Sequence, residues 1–339
     1  MTTAQTVSAT PAAEPTPVLP DIRPPWLATP VPLVRTDTLP RDEWLAWRRR
    51  GLGGSDAAAV LGVSRYKSPW DVWADKMGLT PPDDPGEAAY WGQRLEPLVA
   101  EEFARRTGIA VASWPYLLQH PEHPWMLANL DRVTGDGGIL ECKTTHPRHA
   151  AEWDDDGIPV EYLCQVQHYL AVTGAPHAWV AVLIGGQDFR TTRIERDAAF
   201  IADLIALEAA FWRRVASRIP PEPDGSPAAR RTLLQLYPEA TRDEAALPPD
   251  AEAWARAYLE AAAREAAAAT DKERAAQALM ALLGDARAGT AGPYRVAWTP
   301  TTQRRLDLDR LKAEHPDLYA AYTVTQSTRR FRVTATPAA

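Results

Sequence analysis

The sequence predicts an α/β chain, and three observations predict it. Residues 139–143, Ile-Leu-Glu-Cys-Lys, form a short apolar-rich run behind Gly135-Asp-Gly-Gly, which reads as a strand entered from a hairpin turn. Residues 91–108 read as an amphipathic helix stopped by Gly108, and residues 162–174 as a second helix ending at Gly174. Residues 180–184 and 189–194 read as strands paired around Gly185-Gly186, after which Arg196-Asp197 opens a helix running to Arg218.

The remaining elements follow in order. Residues 1–38 are rich in Pro, Ala and Thr with little pattern, so a disordered leader is expected. The main domain is expected over 39–219, and the proline-rich stretch from Pro220 to Pro227 opens a linker over 220–250. Residues 251–283 are alanine-rich with mixed charges, which favours one long helical arm carrying Trp254 and Tyr258 one turn apart. Beyond Gly284 a small α+β lobe is expected, with strands at 294–298 and 330–333 around a helix at 306–314.

The chemistry concentrates near the first strand. Alternation puts Ile139, Glu141 and Lys143 on one face and Leu140 and Cys142 on the other. Asp131 lies before the glycine turn, so an antiparallel hairpin returns it towards Glu141. Two carboxylates and an ammonium are the residue types that hold a divalent cation against a phosphodiester, because Mg²⁺ prefers hard oxygen ligands and keeps room for water and phosphate. A surface hairpin with a Glu–Lys pair has the same letters and little consequence.

Other segments add polar groups. In the 91–108 helix, Leu95, Leu98, Val99 and Phe103 form the apolar stripe, and Glu96 sits at its edge. Gln165 and Tyr169 are four apart and share a helix face. Gly53 and Gly54 permit close backbone approach, and Ser55 is a good N-cap for a short helix next to Arg48, Arg49 and Arg50. That is a phosphate-binding arrangement, or a capped helix beside a solvated basic run. No Gly-Lys-Ser/Thr follows at P-loop spacing, so no nucleotide cofactor is expected.

Composition sets bounds. The 339 residues suffice for one large domain with extensions, or for two domains. A hydrophobic content of 45% with 24% charged residues is that of a globular chain. No run approaches a membrane span, no secretion signal is read at the N-terminus, and Cys142 and Cys164 make no disulfide framework, so a cytoplasmic setting is expected. The net charge of −7 excludes a uniformly basic coat, so nucleic acid would have to bind at local patches. Residues 284–339 hold nine Arg or Lys against five acids, which fits a lobe that grips DNA or a partner. His120, His123, His146 and His149 close no four-ligand zinc pattern with Cys142.

Taken together, residues 51–62, 66–78, Trp91-Gly-Gln-Arg-Leu-Glu96, Asp131 with Glu141-Cys-Lys143, and Gln165-Val-Gln-His-Tyr169 resemble the YqaJ-type viral recombinase family of phage-type endonucleases, related to lambda exonuclease. The resemblance covers about residues 44–215 and, less specifically, 284–334. It implies a restriction-endonuclease-like core, a central mixed β-sheet flanked by helices, and a Mg²⁺-dependent DNA nuclease in which Mn²⁺ substitutes. By resemblance Asp131, Glu141 and the backbone carbonyl of Cys142 bind the metal, Glu96 completes or orients its shell, and Lys143 assists the water. Gln165 matches the superfamily's Gln-x-x-x-Tyr pattern with Tyr169, and Gln167 is a nearby substitute. Arg48 and Ser55 resemble residues that hold the terminal phosphate of a DNA end. One departure is that the usual Pro-Asp dipeptide is Leu130-Asp131 here.

The implied activity is a double-strand exonuclease with 5′-to-3′ polarity, resecting ends for phage-type recombination with a single-strand annealing protein. Relatives form homo-oligomers, including a ring-shaped trimer. An endonuclease or nickase in replication or defence uses the same fold, and a non-catalytic DNA-binding or assembly protein is the alternative of another class.

Overall fold

The computed structural model describes residues 22–81, 86–154, 157–325 and 328–335. Its elements run in chain order. A 3-10 helix, Pro25–Ala28, leads into β1 (Val31–Arg35), α1 (Arg41–Arg48), β2 (Leu52–Gly53), α2 (Gly54–Val60) and α3 (Pro69–Lys76). Then come α4 (Gly86–Thr107), β3 (Val111–Ala112), β4 (Tyr116–Gln119), β5 (Met126–Asn129), β6 (Arg132–Thr134) and β7 (Ile139–Thr145). After α5 (Val160–Thr173) follow β8 (His177–Ile184), β9 (Asp188–Glu195), α6 (Ala198–Ala216) and α7 (Pro227–Leu236). The chain divides into two units, one ending at Leu236 and the other beginning at Tyr237.

The first unit is built on a five-stranded mixed sheet of order β3-β6-β7-β8-β9. β7 and β8 run parallel, and the remaining pairs are antiparallel. A parallel pair needs a crossover, and α5 supplies it. The alternation read from the sequence sorts the two faces. Ile139, Val180 and Val182 pack with Val166 and Leu170 of α5. Leu140 and Ala181, with Cys142 beside them, pack against Val99, Ala100 and Phe103 of α4. A second sheet, of order β1-β4-β5-β2, lies in the same unit.

The expected hairpin is present: Arg132 pairs with Leu140 and Val133 with Ile139. Its turn is fixed by Thr134, whose hydroxyl accepts the Gly138 amide at 2.9 Å, and by Gly137 at φ 90°. The strands expected at 180–184 and 189–194 form one hairpin, β8–β9, with eight residues each. Asp197 caps α6 by accepting the amides of Ala199 and Phe200. α5 is buried from Cys164 through Thr173 and ends on Gly174, whose φ of 73° is the left-handed stop.

Four expectations need correction. The patternless leader assigned to 1–38 is ordered in its last part, because β1 pairs antiparallel with β4; residues 1–21 lie outside the described residues. The linker assigned to 220–250 contains α7, whose Ala229 is buried with Trp70 and Trp73 of α3 and whose Thr232 hydroxyl donates to Asp71. Leu98, expected on the apolar stripe of α4, is 56% exposed, since the sheet covers only the strip followed by Val99 and Phe103. Residues 330–333 form no strand.

In the second unit α8 (Ala251–Leu283) is one continuous helix of 33 residues, followed by a hairpin of β10 (Ala288–Ala291) and β11 (Tyr294–Ala297). Two short helices follow, α9 (Leu308–Glu314) and α10 (Pro316–Ala321). Phe331 meets Tyr258 edge-on at 5.5 Å. Among the described residues, no helix is long and apolar enough to cross a membrane.

Candidate functional site

Hairpin β6–β7 and the parallel crossover through α5 meet at one cleft of about 190 Å³. It is lined by Trp44 and Arg48 of α1, Gly53, Gly54 and Ser55 at the start of α2, Asn129 of β5, and Asp131, Glu141, Gln165 and Tyr169. Seven sequence-predicted residues therefore face the same space or each other: Arg48, Ser55, Asp131, Glu141, Lys143, Gln165 and Tyr169.

The hydrogen bonds are directional. Lys143 Nζ donates to Glu141 Oε1 at 2.6 Å and to Gln165 Oε1 at 3.0 Å. Gln165 Nε2 donates to Glu141 Oε1 at 2.6 Å and to the Tyr169 hydroxyl at 3.1 Å. The amide of Cys142 donates to Asp131 Oδ2 at 2.8 Å, which ties the carboxylate to the strand carrying Glu141. Glu141 is 3% exposed, and its Oε2 is buried without a hydrogen-bond partner. Leaving such an oxygen bare in a protein interior is costly unless something binds it.

The electrostatics point the same way. Burial, then the Glu141 and Glu96 carboxylates, hold the Asp131 carboxyl well above its ordinary range. Burial alone would lower Lys143, yet the Glu141 and Asp131 carboxylates outweigh it and hold the ammonium above its usual value. The Cys142 thiol is pushed up by burial and by Asp131, and it packs on the α4 face, so it is no ligand here. Burial also raises the Tyr169 phenol.

Among the described residues, no three His, Cys, Asp or Glu side chains form a metal cage. Two carboxylates with one bare oxygen suit a hard cation that keeps water and phosphate in its shell. Asp131 and Glu141 are the side chains able to hold it. Glu96 is close enough to act on Asp131, but its Oε1 accepts from the Arg132 guanidinium at 2.6 Å. Arg132 also donates to the Asp131 carbonyl, so Glu96 reaches the site through Arg132.

Two expectations move. Gln167 leaves the site altogether: its amide donates to the Glu195 carbonyl at 2.8 Å, and its oxygen accepts the Asp197 amide, stitching α5 to the β9–α6 junction. Two positions along a helix turn a side chain by about 200°, so Gln165 and Gln167 cannot share a face. Ser55 is not the N-cap of α2. Asp56 accepts the Gly53 amide at 3.0 Å instead, which removes that amide from any anion site. The Ser55 hydroxyl is engaged by Arg48 Nη2 at 3.0 Å.

Sequence reasoning also missed residues. Asn129 lines the cleft with its Oδ1 buried and unpartnered, and it lies two residues before Asp131. Tyr162 places its ring 4.8 Å from Lys143 Nζ. Gly54 matters by its absence of a side chain, since a Cβ there would lie 2.5 Å from the Tyr169 ring and 3.0 Å from the Gln165 carbonyl. The Gly-Gly pair was the visible signal; its partner on α5 was not.

Residues 43–176 match the model of the YqaJ-like viral recombinase domain. Over 307 residues the chain is 38% identical to the uncharacterized protein YqaJ of Bacillus subtilis (strain 168), spanning 89% of this chain and 96% of that one. The chain belongs to the YqaJ family. Among solved structures, this YqaJ-family chain is similar to an alkaline exonuclease (LHK-Exo) from Laribacter hongkongensis, with 24% identity and a TM-score of 0.45 over 52% of this chain and 94% of that one. A phage related exonuclease from Haemophilus somnus 129PT aligns at 12% identity and a TM-score of 0.38, over 52% of this chain and 97% of that one. The family match encloses every cleft-lining residue named above.

Proposed function

We propose that this YqaJ-family chain is a Mg²⁺-dependent DNA nuclease that shortens duplex DNA from its ends. One observation carries the reading most: the bare, buried Oε2 of Glu141 beside the Asp131 carboxylate, with Lys143 and Gln165 both committed to the other Glu141 oxygen. Asp131 and Glu141 would hold the cation, with the Cys142 carbonyl as a further ligand, and Mn²⁺ would substitute. Bound there, the cation would polarise the scissile phosphate and make its water a stronger acid.

The chain's own groups do the rest. Lys143 spends two of its three N–H bonds on Glu141 and Gln165, leaving one for the attacking water or a phosphate oxygen. Gln165 keeps Glu141 from rotating with one amide proton, and its other is given to the Tyr169 hydroxyl, which holds the amide in place. Arg48, braced on Ser55 and stacked 4.9 Å from the Trp44 ring, would receive a terminal phosphate in the same cleft. A phosphate site beside the cutting site favours work on a strand end. The match to a viral recombinase domain supports a role in recombination; work beside a single-strand annealing protein, as a homo-oligomer, is part of the same proposal.

Digestion of linear duplex with and without a 5′-phosphate, beside closed circular DNA, tests this reading in Mg²⁺ and in EDTA. Degradation of the linear substrates only, dependent on metal and faster with the phosphate, is expected. Cutting of closed circles at the same rate would replace the exonuclease with an endonuclease. Metal-independent binding without cleavage of any substrate would leave a DNA-binding protein.

A further inference from the structure

Arg48 does not stand alone on the cleft wall. Its guanidinium faces Asp56 Oδ1 at 3.6 Å, and taken as a pair the two charges cancel on the cleft wall. Asp56 is held on its other side. Lys76, at the end of α3, reaches Asp56 Oδ2 at 2.7 Å with a side chain that is 0% exposed, against 5% for Asp56 and 28% for Arg48. The same Nζ donates to the backbone carbonyl of Arg48 at 3.2 Å. A further carboxylate, Asp75, lies 3.9 Å from Lys76 but is matched by Arg49 at 3.2 Å. The cluster of Arg48, Arg49 and Lys76 with Asp56 and Asp75 thus retains one positive charge, and Arg48 is the cation of the five that lines the cleft.

We propose that Lys76 is a positioning residue that sets the charge of the phosphate-receiving end of the cleft, by neutralising Asp56 so that Arg48 presents its full charge to a DNA terminus. The proposal rests on the reading of Arg48 as the phosphate-holding residue. The physical reason is burial: with both groups away from water, Lys76 and Asp56 interact strongly, and removing one leaves the other's charge to act on its neighbours. Burial works against the Asp56 carboxylate, yet Lys76 and Arg48 hold it well below its ordinary range. Without Lys76, Arg48 becomes the sole counter-ion of a buried carboxylate and is drawn from the cleft. Lys76 touches no substrate and acts through two residues, α3 to α2 to α1.

The test measures binding, by anisotropy in EDTA, of a short blunt duplex with a 5′-phosphate or a 5′-hydroxyl. The readout is the ratio of the two affinities. Full-length protein is used, with thermal melting as a check on folding. Arg48→Ala is expected to abolish the preference for the phosphate; if it does not, the phosphate reading of Arg48 is wrong. Lys76→Met is expected to reduce the preference on the order of tenfold, while affinity for the 5′-hydroxyl duplex changes little. Loss in Arg48→Ala with full preference in Lys76→Met overturns the proposal and spares the phosphate reading. The deciding variant is Lys76→Met with Asp56→Asn, which removes both buried charges and frees Arg48. Restored preference in the double variant supports the charge relay even where Lys76→Met alone fails to fold. A preference still lost shows that Lys76 merely braces the helices, and overturns it.

Discussion

Gln165 holds Glu141 by one carboxylate oxygen and leaves the other bare. The glutamine binds nothing that reacts, yet it decides which lone pairs of the glutamate remain free. Removing it releases the carboxylate to turn towards Lys143 with both oxygens. Gln165→Ala is therefore expected to weaken the affinity for Mg²⁺, or the rate, by about 10–100-fold, as losses of an outer partner to a metal ligand do. A Mg²⁺ titration of DNA cleavage checks it, and an unchanged midpoint and rate would reject the assignment.

Lys143→Ala and Asp131→Asn separate chemistry from folding. Lys143→Ala is expected to lower cleavage by about 10²–10⁴-fold, the range for loss of a group that positions or exchanges protons, and Asp131→Asn, which removes a carboxylate proposed to hold the cation, is expected to abolish it. Asp131 is disfavoured as a charge in the metal-free protein, by burial and by its acidic neighbours. Asp131→Asn should consequently melt no earlier than the parent in EDTA. A clear drop in its melting temperature would show that the carboxylate serves the fold instead.

Gly54→Ala tests the approach of α2 to α5. The added Cβ would fall 2.5 Å from the Tyr169 ring and 3.0 Å from the Gln165 carbonyl. Overpacking of this kind costs about 1–3 kcal/mol. Urea denaturation should register the loss, and cleavage should fall further than stability, because the residues displaced are Gln165, which holds Glu141, and Tyr169, which holds Gln165. Activity equal to the parent would mean that α2 yields without disturbing the site.

A buried ion pair should make stability depend on pH. His168 is wholly buried, with Nδ1 2.8 Å from Glu208 and Nε2 3.0 Å from the Leu127 carbonyl. Both nitrogens face acceptors, so the ring is held as an imidazolium. Burial would lower its pKa, but Glu208 outweighs burial and raises it above the ordinary 6.5. The sign follows: the stabilisation is complete below about pH 6.5 and is lost as the pH rises through the higher folded value. His168→Gln is expected to cost about 3–5 kcal/mol at pH 6, since it leaves Glu208 unpaired in the core. Melting curves from pH 6 to 9 should bring parent and variant together; a constant gap would contradict the imidazolium.

Much of this site was legible because its residues sit on regular elements. Two-residue periodicity fixed the faces of Ile139 to Lys143, and the glycine turn returned Asp131 to them. Four-residue periodicity paired Gln165 with Tyr169. The failures come from contacts between distant segments. By resemblance Gln167 is a nearby substitute for Gln165, but its partners, Glu195 and Asp197, are 28 and 30 residues away. The role of Asp56 depends on Lys76 of α3, and β1 needs β4 before it is a strand at all. Leu98 fitted the helical stripe, yet how wide a stripe is buried depends on the sheet beneath it.

The division of β7 between two helices has a consequence for how change can reach the site. Glu141 faces α5, while Leu140 and Cys142 rest on α4, and seven residue pairs with β8 hold that setting. A slip by one residue would deliver Cys142 to the cleft and drive Lys143 against Phe103. Alternation offers each side chain two faces only, so a slipped register exchanges them all together. An inserted or deleted residue that shifts the register of β7 therefore exchanges the cleft face for the α4 face along the rest of the strand, whereas a substitution changes one side chain and leaves the setting of the others.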